Sequence, residues 1–390
     1  ISKEKQRLLY LHPFYITKKN IMKNKFIFVI LSFLAINAIS SVDKILENIS
    51  IENGFEVSIF SNTISAPRQI TEGETGYIFV GSKQGDVYAL KDHDDNGKAD
   101  FSMVVASDMG DSSGVAFYKG SLFIAEIDKV WKIENIEEKL DRGNSIKDLE
   151  KILVTDDLPS DTWHGRKWIK FDQDGSFLVN VGAPCNVCLK DDPRYATIMR
   201  FRDSKWSIVA RGVRNSVGFD FNPQNNRLYF TDNGRDWLGD NLPSCELNVL
   251  LDDGDFFSLP YLHANDVIDP DFGESDHGYE INKPILELGP HVAPTGITFY
   301  SGSHFPASYT NNAFITLHGS WNSSKKVGYK VIRVEFDDKG LVNKHSDFMT
   351  GFLSGEQVIG RPAAPFEMSD GSLLISDDYS NLIYRVTYKG

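Results

Sequence analysis

The chain has 390 residues, of which 41% are hydrophobic, 12% aromatic and 24% charged, with 31 glycines and three cysteines. That balance is enough for a sizeable packed core and argues against a disordered or disulfide-framework protein. The formal net charge is −13; residues 1–40 hold seven Lys/Arg against one acid, a net of +6, so residues 41–390 carry −19, a field that repels nucleic acid and anionic lipid.

Lys23 and Lys25 precede an 11-residue apolar run from Phe26 to Ile36, and small and polar residues follow at 38–41. A basic start, a short apolar middle and a small-residue end make an export signal, too short for a comfortable membrane span. Residues 22–41 are therefore predicted to be a signal peptide, 1–21 an upstream extension before Met22, and 50–390 the folded domain. The expected location is periplasmic or secreted, with no stable membrane insertion after cleavage.

Six later segments read alike. They are Gly76-Tyr-Ile-Phe-Val, Gly120-Ser-Leu-Phe-Ile, Gly175-Ser-Phe-Leu-Val, Asn226-Arg-Leu-Tyr-Phe, Asn312-Ala-Phe-Ile-Thr and Gly371-Ser-Leu-Leu-Ile, each a turn residue followed by an aromatic or β-branched run. Their spacings of 44, 55, 51, 86 and 59 residues match a four-stranded blade with one insertion, placed at 251–283 before the fifth blade. Six such units predict an all-β, six-bladed β-propeller, whose function lies where the blade loops converge on the axis.

Between the first two units, Asp92-His-Asp94-Asp-Asn96-Gly97-Lys-Ala-Asp100 places oxygen ligands at positions 1, 3, 5 and 9 of a calcium-type loop, with glycine at 6. Position 12 is Met103 instead of glutamate. The loop is expected to hold a structural calcium through Asp92, Asp94, Asn96 and Asp100, or else to be an acidic hairpin turn. Cys185-Asn-Val-Cys188 follows a predicted strand; it is read as a local disulfide, two free thiols, a redox pair or half a metal site. Cys245 has no evident partner and is expected to be a small buried hydrophobe.

Polar residues that interrupt the strand-like runs gather in four stretches: Asp161-Thr-Trp-His164-Gly-Arg, Arg211-Gly-Val-Arg214-Asn215, Thr231-Asp-Asn-Gly234-Arg235-Asp-Trp237, and Leu317-His318-Gly-Ser-Trp321-Asn322. With Gly182-Ala-Pro-Cys-Asn-Val-Cys188, His291-Val-Ala-Pro-Thr-Gly and Gly360-Arg361-Pro362, they resemble the glucose/sorbosone dehydrogenase family from roughly Gly54 to Tyr388. These are exported six-bladed propellers that use pyrroloquinoline quinone (PQQ) and calcium. The resemblance implies that His164 is the general base taking the hydroxyl proton of an aldose, pyranose or sugar aldehyde, and that Arg214 stabilises charge on the quinone. It implies Arg68, Arg214 and Arg361 as carboxylate-binding cations, Asn215 and His318 as hydrogen-bonding partners, and Trp237 as a stacking platform. Backbone carbonyls of Gly234 and Arg235 would face the cofactor calcium, and electrons would leave to an acceptor such as a cytochrome or quinone. The aspartate that assists the base in the glucose-oxidising branch is absent from Gly182-Ala-Pro, which favours the sorbosone or pyranose branch. The arginine that relatives carry after Ser-Trp-Asn is missing here, so one cofactor cation is lost unless Lys325 or Lys326 reaches in. The alternatives are a calcium-dependent, lactonase-like propeller hydrolase and a secreted interaction module without cofactor.

Overall fold

Each of the six recurrent segments becomes the second strand of a blade: Ile78–Ser82, Ser121–Ala125, Phe177–Val181, Leu228–Asp232, Ala313–Leu317 and Leu373–Asp377. The computed structural model describes residues 42–390, so the signal-peptide and upstream-extension assignments lie outside the described residues. Residues 42–48 form a short helix, and Asn48–Gly390 builds the six-bladed β-propeller. Five of the six second strands are buried along their whole length, because a strand inside a blade is covered on both faces by neighbouring blades. This is why they read as continuous apolar runs with no in–out alternation. Every Val, Leu, Ile or Phe buried in this way contributes about 1.5–3 kcal/mol.

The innermost strands, Pro67–Glu72, Gly114–Tyr118, Ile169–Phe171, Phe219–Phe221, Pro294–Phe299 and Pro362–Glu367, start at the axis and carry the site. Buried polar side chains bind this ring together. The Gln69 amide spans three blades, accepting from Val115 N and Ile169 N and donating to the Ile169 carbonyl at 2.8 Å. Trp168 Nε1 donates to Phe219 O, Thr231 Oγ1 to Thr295 O, Thr316 Oγ1 to Ala363 O, and Ser376 Oγ to Arg68 O. Each of these bonds satisfies an inner-strand carbonyl that would otherwise be buried without a partner, so the polar residues inside the apolar runs set blade-to-blade register.

The ring closes through Phe55–Ser61, which pairs antiparallel with Leu382–Tyr388 as the outer strand of the last blade. Phe55 meets Phe305, Tyr309, Phe348 and Tyr388 with ring centroids 4.8–5.1 Å apart. Replacing Phe55 by Ala is expected to cost about 2–3 kcal/mol, somewhat less than for a fully buried ring, read as a lower denaturation midpoint at unchanged m-value. An unchanged midpoint would show that closure rests elsewhere.

The 86-residue spacing has a structural cause. The insertion lies inside the fourth blade, between Ser244–Val249 and Leu286–Pro290, and lends Asp255–Phe256 to the third blade as a parallel fifth strand. Among the described residues no helix is long and apolar enough to cross a membrane.

Candidate active site: a cation-lined mouth

Two backbone positions recur around the axis: the residues just before an innermost strand and those just after a second strand. They open at the same end and enclose a cavity of about 500 Å³. Its lining draws Arg68 from the first blade, His164 and Arg166 ahead of the third, Arg214 and Asn215 ahead of the fourth, Gly234 and Asp236 within it, His318 and Trp321 within the fifth, and Arg361 ahead of the sixth. Four guanidinium groups thus face one carboxylate, that of Asp236, in a chain whose folded part is strongly acidic. Only a local gathering of arginines produces such a patch, and it suits an anionic ligand.

His164 sits in a turn with backbone φ of +55°. Its Nδ1 lies 2.7 Å from the Ala183 carbonyl, which can only accept, so Nδ1 carries the proton and Nε2 is left with its lone pair. Gly182 makes this approach possible: a Cβ there would stand 2.6 Å from both the Cβ and the carbonyl oxygen of His164. Behind the turn, buried Lys167 donates Nζ–H to the Gly165 carbonyl at 2.8 Å. Burial first, then the Arg214 charge, push the imidazole pKa down to about 3, with the Ala183 bond opposing in part. The exposed Trp163 indole donates to Nε2 at 3.1 Å.

The sign follows directly. A base whose conjugate acid forms only near pH 3 stays neutral and competent through the physiological range. Histidine NMR of the protein without added cofactor is expected to show His164 neutral from pH 8 to pH 5. Titration near 6.5 would contradict its buried, Arg214-facing position.

Arg214 is buried. Its Nε donates to Asn186 O at 2.8 Å, Nη1 to Asn233 O at 3.1 Å, and Nη2 to Asn186 Oδ1 at 2.9 Å and Asp236 Oδ2 at 3.0 Å. The backbone N–H groups of Arg214 and Asn215 are both taken by the buried Asp232 carboxylate, at 2.8 and 2.6 Å. Opposite Asp232 across the sheet stands Glu246, whose pKa is raised by burial and then by the Asp232 charge. Asn215 Oδ1 is buried without a hydrogen-bond partner among the described residues, an orphaned acceptor on the cavity wall.

On the opposite wall Asp378 is a hub: Arg68 Nη1 at 2.8 Å, Lys83 Nζ at 3.0 Å and His318 Nε2 at 2.8 Å converge on its carboxylate. Burial alone would raise its pKa, but these neighbours hold it far below the ordinary value. Burial pushes His318 down to about 4 despite Asp378. With that ring neutral near pH 7, Arg68 and Lys83 are the charges that keep Asp378 ionised. Arg361 donates Nε to His318 O at 3.0 Å and Nη2 to Gly319 O, and lies over the Tyr329 ring. Among the described residues it makes no ion pair.

Other predicted positions stand differently. Trp237 is exposed and does not line the cavity; it meets Trp321 edge-on at 6.3 Å, and Trp163 and Trp321 line the mouth in its place. Gly234 lines the cavity. Arg235 does not, because its side chain turns inward to a buried ion pair with Asp269. Neither Lys325 nor Lys326 reaches the mouth; Lys326 faces Glu356. In the 92–100 loop the carboxylates are engaged locally: Asp92 accepts from Asn96 N and Gly97 N, Asp94 from Asn96 Nδ2, and Asp100 from His93. Among the described residues no group of three or more His, Cys, Asp or Glu side chains is placed to hold a metal ion. Cys185 and Cys188 form a disulfide, and Cys245 is unpaired and buried beside the cavity.

Fold and site together define a propeller whose arginine-lined axial mouth also presents the neutral imidazoles of His164 and His318. The comparisons agree with that class. Residues 270–358 match the family model described as TrAA12-like. An uncharacterized protein of Borreliella burgdorferi is 35% identical over 95% of this chain and 99% of that protein. A PQQ-dependent pyranose dehydrogenase of Coprinopsis cinerea is 29% identical over 125 residues, 27% of this chain and 16% of that protein. Among solved structures, the Trichoderma reesei carbohydrate-active enzyme of family AA12 superposes with a TM-score of 0.74 at 19% identity, covering 87% of this chain and 97% of the other. The holo PQQ domain of the Coprinopsis cinerea pyranose dehydrogenase superposes with a TM-score of 0.71 at 20% identity, again over 87% and 97%. At such identities these likenesses show the fold. The chain belongs to one family with its Borreliella relative, and the TrAA12-like match over residues 270–358 agrees with its resemblance to the glucose/sorbosone dehydrogenases.

Proposed function

We propose that this protein is a PQQ-dependent oxidoreductase that oxidises an aldose, a pyranose or a related sugar aldehyde at the axial mouth. The observation that carries the reading is the convergence of Arg68, Arg214 and Arg361 on one cavity that also presents the neutral His164. The residues fit the cofactor's chemistry: a flat triacid needs several guanidinium partners for its carboxylates, and its ring N–H needs an acceptor such as the orphaned Asn215 Oδ1. When bound, PQQ supplies the two-electron acceptor for the hydride of the sugar C–H bond.

The chain's own part is to bind, orient and move a proton. Arg361, Arg68 and Arg214 hold carboxylates, while Asp378 and Asp236 fix two of those guanidinium groups in place. His164 keeps Nδ1–H on Ala183 O and thereby presents Nε2 to the substrate hydroxyl, whose proton it takes. Trp163 must yield that lone pair as the hydroxyl arrives. Calcium belongs to the same proposal, at the backbone carbonyl of Gly234, which lines the cavity and is an oxygen donor of the hard type calcium accepts; Arg235 stands outside the lining. Export, and transfer of electrons to a cytochrome or quinone, belong to it as well.

A lactonase-like hydrolase would want carboxylates converging on an axial metal, whereas the lining offers four arginines and one aspartate. The test is dye reduction by a panel of aldoses, pyranoses and sugar aldehydes, with and without added PQQ and calcium. Turnover that requires PQQ is expected. Lactone cleavage with calcium alone, or no turnover with any sugar, would overturn the reading.

A further inference from the structure

We propose that Asn186, held inside the Cys185–Cys188 ring, is the positioning residue for the Arg214 guanidinium and for the segment 233–240, and that reducing this disulfide loosens both. The proposal rests on the quinone-binding reading of the mouth, on which it acts through Arg214.

Asn186 makes four hydrogen bonds, and all of them reach that wall of the cavity. Its carbonyl accepts Arg214 Nε at 2.8 Å; its Oδ1 accepts Arg214 Nη2 at 2.9 Å and Asp236 N–H at 2.8 Å; its Nδ2 donates to the Asp236 carbonyl at 3.1 Å. The side-chain amide therefore pairs with the N–H and C=O of a single residue, as a neighbouring strand would, while also orienting a guanidinium. Only a group with donor and acceptor side by side can do this at that reach. Asp236 completes the arrangement, accepting Arg214 Nη2 at 3.0 Å and Asn322 Nδ2 at 3.3 Å on its two carboxylate oxygens.

What holds Asn186 itself is the disulfide. The segment 182–196, between Phe177–Val181 and Thr197–Arg202, has no regular structure. Cys185 and Cys188 bridge three positions apart, and Asn186 lies within that small ring. So short a ring removes less chain entropy from the unfolded state than a long one, so its effect is local order more than global stability. Both cysteines are half-buried, and Cys188 borders a second cavity of about 190 Å³ next to the loop, which gives a reductant access. In the reduction a dithiol supplies two electrons and two protons: the Sγ–Sγ bond breaks, two S–H bonds form, and the dithiol leaves as its own disulfide.

Hydrogen exchange on the protein without added cofactor tests this independently of any activity. Losing the Oδ1 acceptor from the Asp236 amide is expected to speed exchange in peptides covering 233–240 by about tenfold in Asn186→Ala. Wild type treated with dithiothreitol, and the Cys185→Ser/Cys188→Ser variant, are expected to show the same change, with the melting temperature of the propeller held. Asn186→Asp keeps the acceptor and loses the donor, so it falls between. PQQ affinity, measured by titration on the same samples, is expected to weaken in the same order. If 233–240 exchanges alike in wild type, Asn186→Ala and the reduced protein, the proposal is overturned. If exchange responds but wild type binds no PQQ, the positioning role stands and the quinone reading fails.

Discussion

His164→Ala is expected to lower sugar-dependent turnover by about 10²–10⁴-fold, the range in which a positioned general base acts. PQQ affinity should change little, because the imidazole's two contacts are the Ala183 carbonyl and the Trp163 indole and not one of the cation pairs. A fall in kcat with a preserved quinone Kd separates proton transfer from cofactor binding. His164→Asn retains a donor for Ala183 O without an ionisable acceptor, and should be as inactive as the alanine variant. If either variant keeps more than about a tenth of wild-type kcat, the base lies elsewhere.

The second large effect is expected at Arg361. Arg68 is already paired with Asp378, and Arg214 with Asp236, so part of their charge is answered inside the protein. Arg361 donates only to backbone carbonyls of His318 and Gly319, which orient the fork without neutralising it. Its replacement by Ala should therefore weaken PQQ binding by about 2–4 kcal/mol, roughly 30- to 1000-fold, as for loss of a desolvated charged partner. Lysine restores the charge but not the bidentate fork, and should recover part of the loss. The backbone of Arg361 is held separately, its N–H on Asp377 Oδ1 at 2.9 Å, so the fold should tolerate both changes. Unaltered affinity in Arg361→Ala would place the ligand's carboxylates on another part of the mouth.

Much of this architecture could be read from the chain because one strand per blade is shielded on both faces. Burial on two sides forces a continuous apolar run after a turn, and a run of that kind is visible without a partner. Phe177–Val181 and Leu373–Asp377 look alike for this reason, although they stand three blades apart, on opposite sides of the ring. The loops that carry His164, Arg214, His318 and Arg361 were legible through the family's motifs, and all four side chains line one cavity.

What stayed hidden was the partnership between distant residues. Asp378 gathers Arg68 and His318 from 310 and 60 positions away, and nothing in its neighbourhood of the sequence announces that. Register held a usable signal: the residues that directly follow the six second strands are Lys83, Glu126, Gly182, Asn233, His318 and Asp378, and five of these touch the mouth or its ion pairs. Asn186 carries no signal of its own in the sequence, because its partners Arg214 and Asp236 lie 28 and 50 positions away. Trp237 was misplaced for a different reason. An aromatic in a site-forming loop satisfies the same motif whether it faces the ligand or a second tryptophan at the rim, and only the packing against Trp321 distinguishes the two.

The central claim is that the axial mouth is a quinone site built from arginines of different blades. Titrating PQQ into the purified protein, followed by the cofactor's absorbance, tests it most directly. The account predicts one saturable equivalent with micromolar or tighter affinity, weakened in Arg361→Ala and abolished when Arg68, Arg214 and Arg361 are all replaced. No saturable binding to the wild-type protein, or binding indifferent to the loss of all three arginines, would contradict it.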